Sequence, residues 1–232
     1  MSASSSTRNQ IQNVSSIQDL LSVTFDGEVN ALCWNRELKG DFLEIVKKLQ
    51  KEENIVEITV EDLSNLQLSE EGKIAREIIL SDWKALTDHG ASPILNIIKH
   101  YERDDVLPTF PTDVYSFHVD RSPIPTSTFL CTYYGEASEI LPNQQAVQKV
   151  MIPKLRKELK KLHAGNEEGF EMFLRDHFFD LHYEALTKSQ LIKLGKGQLW
   201  RLAVDHPESQ VLPCIHRAPL EKKGESRLLL IC

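Results

Sequence analysis

The sequence predicts an α+β chain built on a distorted double-stranded β-helix, a jelly roll with helices packed at its N-terminal side and inserted within it. Three observations lead there. Strand-like, β-branched and aromatic runs dominate after residue 111, at 113–119, 128–134, 198–204, 211–217 and 226–232. Helical periodicity dominates before it. A second helical stretch, about 144–186, interrupts the strands. Antiparallel sheets with helices packed outside satisfy that order.

Residues 1–15 are rich in Ser, Asn and Gln, lack a hydrophobic stretch and are expected to form a disordered tail. Residues 16–232 are then a single domain, with 16–110 as a mainly helical buttress and 111–232 as the β-helix core. Within the buttress, 29–34 reads as a strand. Residues 41–50 read as a helix with Phe42, Ile45, Val46 and Leu49 on one stripe, and 55–60 as a second strand. Ser69-Glu70-Glu71 opens a longer helix through Leu86. Ser92-Pro93 gives an N-cap followed by Pro at the first helical position, so a further helix is expected to end near Glu102. In the insert, Val147, Met151, Leu155, Leu159 and Leu162 form an apolar stripe, with lysines and Arg156 on a solvated outer face. His177 and His182, five apart, do not share a helical face and read as structural or exposed.

The net charge of −7 over 232 residues argues against general affinity for nucleic acid or anionic membrane. No apolar stretch reaches the length of a membrane span. Four cysteines without Cys-x-x-Cys spacing suit a reducing, cytoplasmic setting. A P-loop and a nucleophile elbow are both absent.

The chemistry lies in His118-Val119-Asp120, His216-Arg217 and Arg227. In a strand, residues i and i+2 face the same way, so His118 and Asp120 can reach one ion while Phe117 and Val119 pack on the other side. With His216 they form a two-histidine, one-carboxylate set of the kind that suits non-haem Fe(II) with open positions. Residues 211–217 and 226–232 read as a hairpin; symmetry about the Glu221–Lys222 bond sets His216 opposite Arg227 on one face. Two neutral imidazoles and one carboxylate leave a divalent ion one residual positive charge. A 2-oxo-dicarboxylate chelated there still needs a cation for its far carboxylate, and Arg227 supplies one. Tyr133 and Asn143 are candidates for hydrogen bonds to cosubstrate or substrate; the alternatives are a packed strand aromatic and an N-cap ahead of 144–146.

These residues, with Thr132-Tyr133-Tyr134-Gly135, Leu141-Pro142-Asn143, His216-Arg217-Ala218-Pro219 and Arg227-Leu228-Leu229, resemble a mainly bacterial family known only as a domain of unknown function, over residues 32–232. Its middle motif is commonly Thr-Tyr-x-Gly-x-Gly-Thr-x-Trp-Leu-Pro, and here Ala137, Ser138 and Ile140 stand where Gly, Thr and Trp are common. Through His118, Asp120, His216 and Arg227 the chain also resembles the 2-oxoglutarate/Fe(II)-dependent oxygenases. That resemblance implies a cupin-like barrel, Fe(II), 2-oxoglutarate as cosubstrate, O2, and hydroxylation of a small-molecule or amino-acid-like substrate. Two alternatives stay open. One is a metal-binding or metal-homeostasis protein with the same three ligands, since relatives are often encoded near metal-handling GTPases. The other is a cupin-type isomerase or lyase with a Lewis-acid metal.

Overall fold

The computed structural model describes residues 10–104, 107–163, 165–220, 222 and 224–232. It is a mixed α+β fold with two sheets, one of them curled into a half-barrel.

The N-terminal part alternates short strands and helices. β1 (Ile11–Val14) pairs in parallel with β2 (Ala31–Trp34) across α1 (Ile17–Ser22). The expected tail therefore ends in a strand, while residues 1–9 of that tail lie outside those described. Asp41 caps α2 (Phe42–Leu49) by accepting from the Glu44 amide, and Phe42, Ile45 and Val46 are its buried stripe. After β3 (Ile55–Ile58), Thr59 and Asp62 form a capping box for α3 (Val60–Asn65). Val60, expected as the end of the strand, instead opens α3. Ser69 caps α4 (Glu70–Asp88).

Residues 94–98 are a correction. They form β4 (Ile94–Ile98), not a helix, and pair antiparallel with β3 and with β13 (Arg227–Ile231). Ser92-Pro93 is a sound local helix start. Three isoleucines in five residues, however, gain more from a place between two strands, where tertiary pairing overrides the cap.

The remaining strands are β5 (Phe117–His118), β6 (Ser127–Tyr134), β7 (Glu139–Ile140), β8 (Ala146–Gln148), β9 (His182–Ala185), β10 (Ile192–Lys193), β11 (Leu199–Ala203) and β12 (His216–Arg217). The seven-stranded sheet runs β1-β2-β11-β6-β13-β4-β3, and the six-stranded one β10-β7-β12-β5-β9-β8. The α-helices of the insert are α5 (Pro153–Leu162) and α6 (Glu167–Asp176), with short 3-10 turns beside them; toward its ends lie β8 and β9, which extend the smaller sheet. Met151 and Leu162, expected on its apolar stripe, are exposed, while Leu155 and Leu159 pack with Phe110, Phe170 and Leu174 in a small core of their own.

Strand alternation sorts the larger sheet into two faces. Leu32, Ile97, Cys131, Tyr133, Leu228 and Leu230 pack under α1, α2, α3 and α4. Cys33, Ile98, Leu130, Trp200 and Leu229 face the smaller sheet and meet Ile140 and Cys214. Phe117, Val119 and Ile215 form a further cluster with Leu141 and Leu181. His118, Asp120 and His216, alternating with those three, are left on the opposite face.

Candidate metal centre

His216 pairs directly with His118 across β12 and β5, so the two side chains stand side by side, with ring centroids 4.6 Å apart. Asp120 lies two residues beyond His118 on the same face. His118 Nε2 is 4.0 Å from Asp120 Oδ1, and His216 Nε2 is 3.7 Å from Asp120 Oδ2. The nearest ligand atoms of the three all lie within 4.8 Å of one another.

Each imidazole is fixed by the same device. Nδ1 of His118 meets the Ser116 carbonyl at 2.8 Å, and Nδ1 of His216 meets the Cys214 carbonyl at 3.2 Å. A carbonyl only accepts, so each Nδ1 carries the proton and each Nε2 turns a lone pair toward Asp120. The Thr128 hydroxyl, from β6 in the other sheet, donates to Asp120 Oδ2 and fixes the carboxylate.

The protonation states suit a cation. Burial, and then the neighbouring His216, bring His118 down to about 4, so it is neutral at pH 7. Burial pushes the Asp120 carboxyl up, but His216, the Thr128 hydroxyl and His118 more than offset it and hold it below the usual carboxylate range. Ligand bonds of about 2.1 Å place adjacent donors about 3–3.5 Å apart. The observed separations need only a small contraction, so the residues fit a divalent ion. His216 is buried, whereas the Asp120 side chain is 36% exposed, which leaves an approach from its side.

The other expected site residues divide. Arg227 is not opposite His216: it lies on β13 in the larger sheet and pairs with Ile98. The expected symmetric turn includes Glu221, outside the described residues, and the two strands enter different sheets. Arg227 does share the inter-sheet face with Leu229. Its Nη2 donates to Thr132 Oγ1 (2.9 Å) and Ser138 Oγ (2.8 Å), and its Nε to Thr132 Oγ1 (3.3 Å). The sequence reading did not single out these hydroxyls. The signal was available: Thr132 opens the Thr-Tyr-Tyr-Gly motif, and Ser138 keeps a hydroxyl where the resembling family commonly has Thr. Gly135 explains the end of that motif. Its φ is +87°, and a Cβ there would come within 2.7 Å of the Ser226 carbonyl and 2.9 Å of the Arg227 Cα.

Tyr133 points away from the site. It stacks on Phe42 (5.4 Å) and donates to Asp82 Oδ2 at 2.7 Å, where the buried Asp82 also pairs with the half-buried Arg36 on the helix side. Asn143 accepts from Asn30 Nδ2 and donates to the Pro213 carbonyl, each at 3.0 Å, bracing the loop that delivers Cys214 and His216. It stands in a small cavity of about 130 Å³ with Gln10 and Asn30. His177 is exposed and His182 is buried beside His118, so the structural-or-exposed reading divides between them.

The family described as "Protein of unknown function (DUF1826)" matches residues 112–232. The chain belongs to this family. The matched segment holds His118, Asp120, His216 and Arg227, and it is shorter than the span of the resemblance first read from the sequence. No curated protein and no solved structure matches this DUF1826 chain. Among the described residues, no helix is long and apolar enough to cross a membrane.

Proposed function

We propose that this DUF1826 protein is an Fe(II)- and 2-oxoglutarate-dependent oxygenase that hydroxylates a small molecule, on a double-stranded β-helix. The observation that carries the reading is the pair of Nε2 lone pairs converging on one carboxylate, each imidazole locked by a backbone carbonyl. Strand order supports the fold. β4 pairs with β13, β5 with β12, β6 with β11 and β7 with β10, all antiparallel. Such nested pairing is that of one ribbon wound on itself, with β8, β9 and the helices inserted at its midpoint.

His118, Asp120 and His216 would hold the ion, and Fe(II) bound there with 2-oxoglutarate would let O2 act as the oxidant of an unreactive C–H bond, two of its four electrons coming from the 2-oxo acid as it becomes succinate and CO2 and two from the C–H bond. Arg227, with Thr132 and Ser138, is the cation-and-hydroxyl set for the distal carboxylate. Thr128 and Thr132 lie on the same face of β6, four residues apart, a separation of about 13 Å. A short diacid would run along β6 between them, past Leu130.

A second reading, metal binding without oxidation, draws on Leu130 itself. It lies on that path in the apolar layer between the sheets, and the three ligands are complete without a cosubstrate. The deciding experiment is anaerobic addition of 2-oxoglutarate to Fe(II)-loaded protein, then admission of O2, with Asp120→Ala as control. A visible charge-transfer band followed by succinate in the NMR spectrum supports the oxygenase. Iron-loaded protein that gives neither is a metal carrier.

A further inference from the structure

His182 is the buried histidine that neither the metal ligands nor the expected cosubstrate contacts use. It opens β9 and pairs directly with His118, as His216 does from the other side. Three imidazoles therefore cross the smaller sheet in one row, His216–His118–His182, on the face that carries Asp120. The His118–His182 centroids are 5.9 Å apart. His182 is 4% exposed, with Phe110 edge-on at 6.5 Å, and its Nδ1 is buried without a hydrogen-bond partner. A buried polar atom left unsatisfied costs about 1–3 kcal/mol, so its retention calls for an absent partner.

That partner cannot be reached as a fourth ligand of the same compact cluster, since His182 falls outside the group whose donor atoms lie within 4.8 Å of one another. It is, however, placed where a metal-bound molecule would be. His216 and His182 flank His118 on opposite sides, so a molecule bound on the His118 side of an ion held by His118, Asp120 and His216 would come near His182.

We propose that His182 is a contact residue for the exogenous ligand of the metal centre, hydrogen-bonding a small anion or a 2-oxo-acid carboxylate held beside His118. The proposal rests on the metal-site reading above and extends it to a residue outside the ligand set. An imidazole offers an N–H donor, so His182 can meet an anionic oxygen or a bound water.

The test uses Co(II), whose visible bands report coordination without turnover, and azide as the anionic probe. Co(II) affinity and azide affinity are measured by optical titration for the wild type, His182→Phe and His182→Gln. The expected result is Co(II) binding within threefold of wild type in both variants. Azide affinity falls about tenfold or more in His182→Phe and returns to within threefold in His182→Gln, which can still donate. Unchanged azide affinity in His182→Phe overturns the proposal and leaves His182 a packing residue. Loss of Co(II) in both variants, as severe as in His216→Ala, overturns it in favour of a fourth ligand. A wild type that binds no Co(II) overturns this proposal and the metal-site reading together.

Discussion

Acid should destabilise the metal-free protein through its buried histidines, and the magnitude follows from their surroundings. Burial lowers His182 from 6.5 to about 3, with His118 and Lys149 adding to the effect, and lowers His118 to about 4. Both folded values lie below the unfolded one, so the unfolded chain binds more protons between them. The stability is fully present above pH 6.5 and is lost as pH falls through that value toward 4. At pH 5 an unfolded histidine is about 1.5 units below its pKa, while both folded rings remain mainly neutral. At about 1.36 kcal/mol per unit, each histidine contributes about 2 kcal/mol of destabilisation between pH 7 and pH 5. The assay is urea unfolding at the two pH values, in chelator, for the wild type and His182→Gln. The variant should lose about 2 kcal/mol less than the wild type over that interval, whatever its stability at pH 7. An equal loss in both proteins refutes the burial argument for His182.

Thr128→Val removes the hydroxyl that fixes Asp120 and should weaken metal binding about 10–100-fold in an equilibrium metal titration, without abolishing it. Arg227→Ala should leave the metal in place and weaken 2-oxoglutarate by about 2–5 kcal/mol, read from the charge-transfer titration. Arg217→Ala should leave both unchanged, because Arg217 pairs with Glu139 and lies over the Phe117 ring, away from the ligands. Tyr133→Phe should cost about 1–3 kcal/mol in urea unfolding by stripping Asp82 of a donor, with metal and cosubstrate affinities intact.

The ligand set was legible because it depends on one short-range rule. The alternation of Phe117, His118, Val119 and Asp120 puts two donors on one face of any strand, whatever sheet it joins. Arg227 was not legible in the same way. Reading 211–232 as a hairpin assumed that strands adjacent in sequence pair with each other, and here β12 and β13 enter different sheets. Tyr133 failed for a related reason: the motif names the residue, but only the pairing of β6 says that Thr132 faces inward and Tyr133 faces α2. His182 does not stand out on helical spacing, because it begins a strand whose register is set by its two neighbours, β5 and β8, which lie far from it in sequence. Residues 94–98 carried a true local cap signal that the larger sheet overrode.

The central claim is that His118, Asp120 and His216 bind one divalent ion. Its most direct test is elemental analysis of protein loaded anaerobically with Fe(II) and freed of excess metal, for the wild type and for His118→Ala, Asp120→Ala and His216→Ala. The account expects one metal per wild-type chain and near-complete loss in each variant, with folding checked by circular dichroism. Folded variants that all retain the wild-type stoichiometry would contradict it.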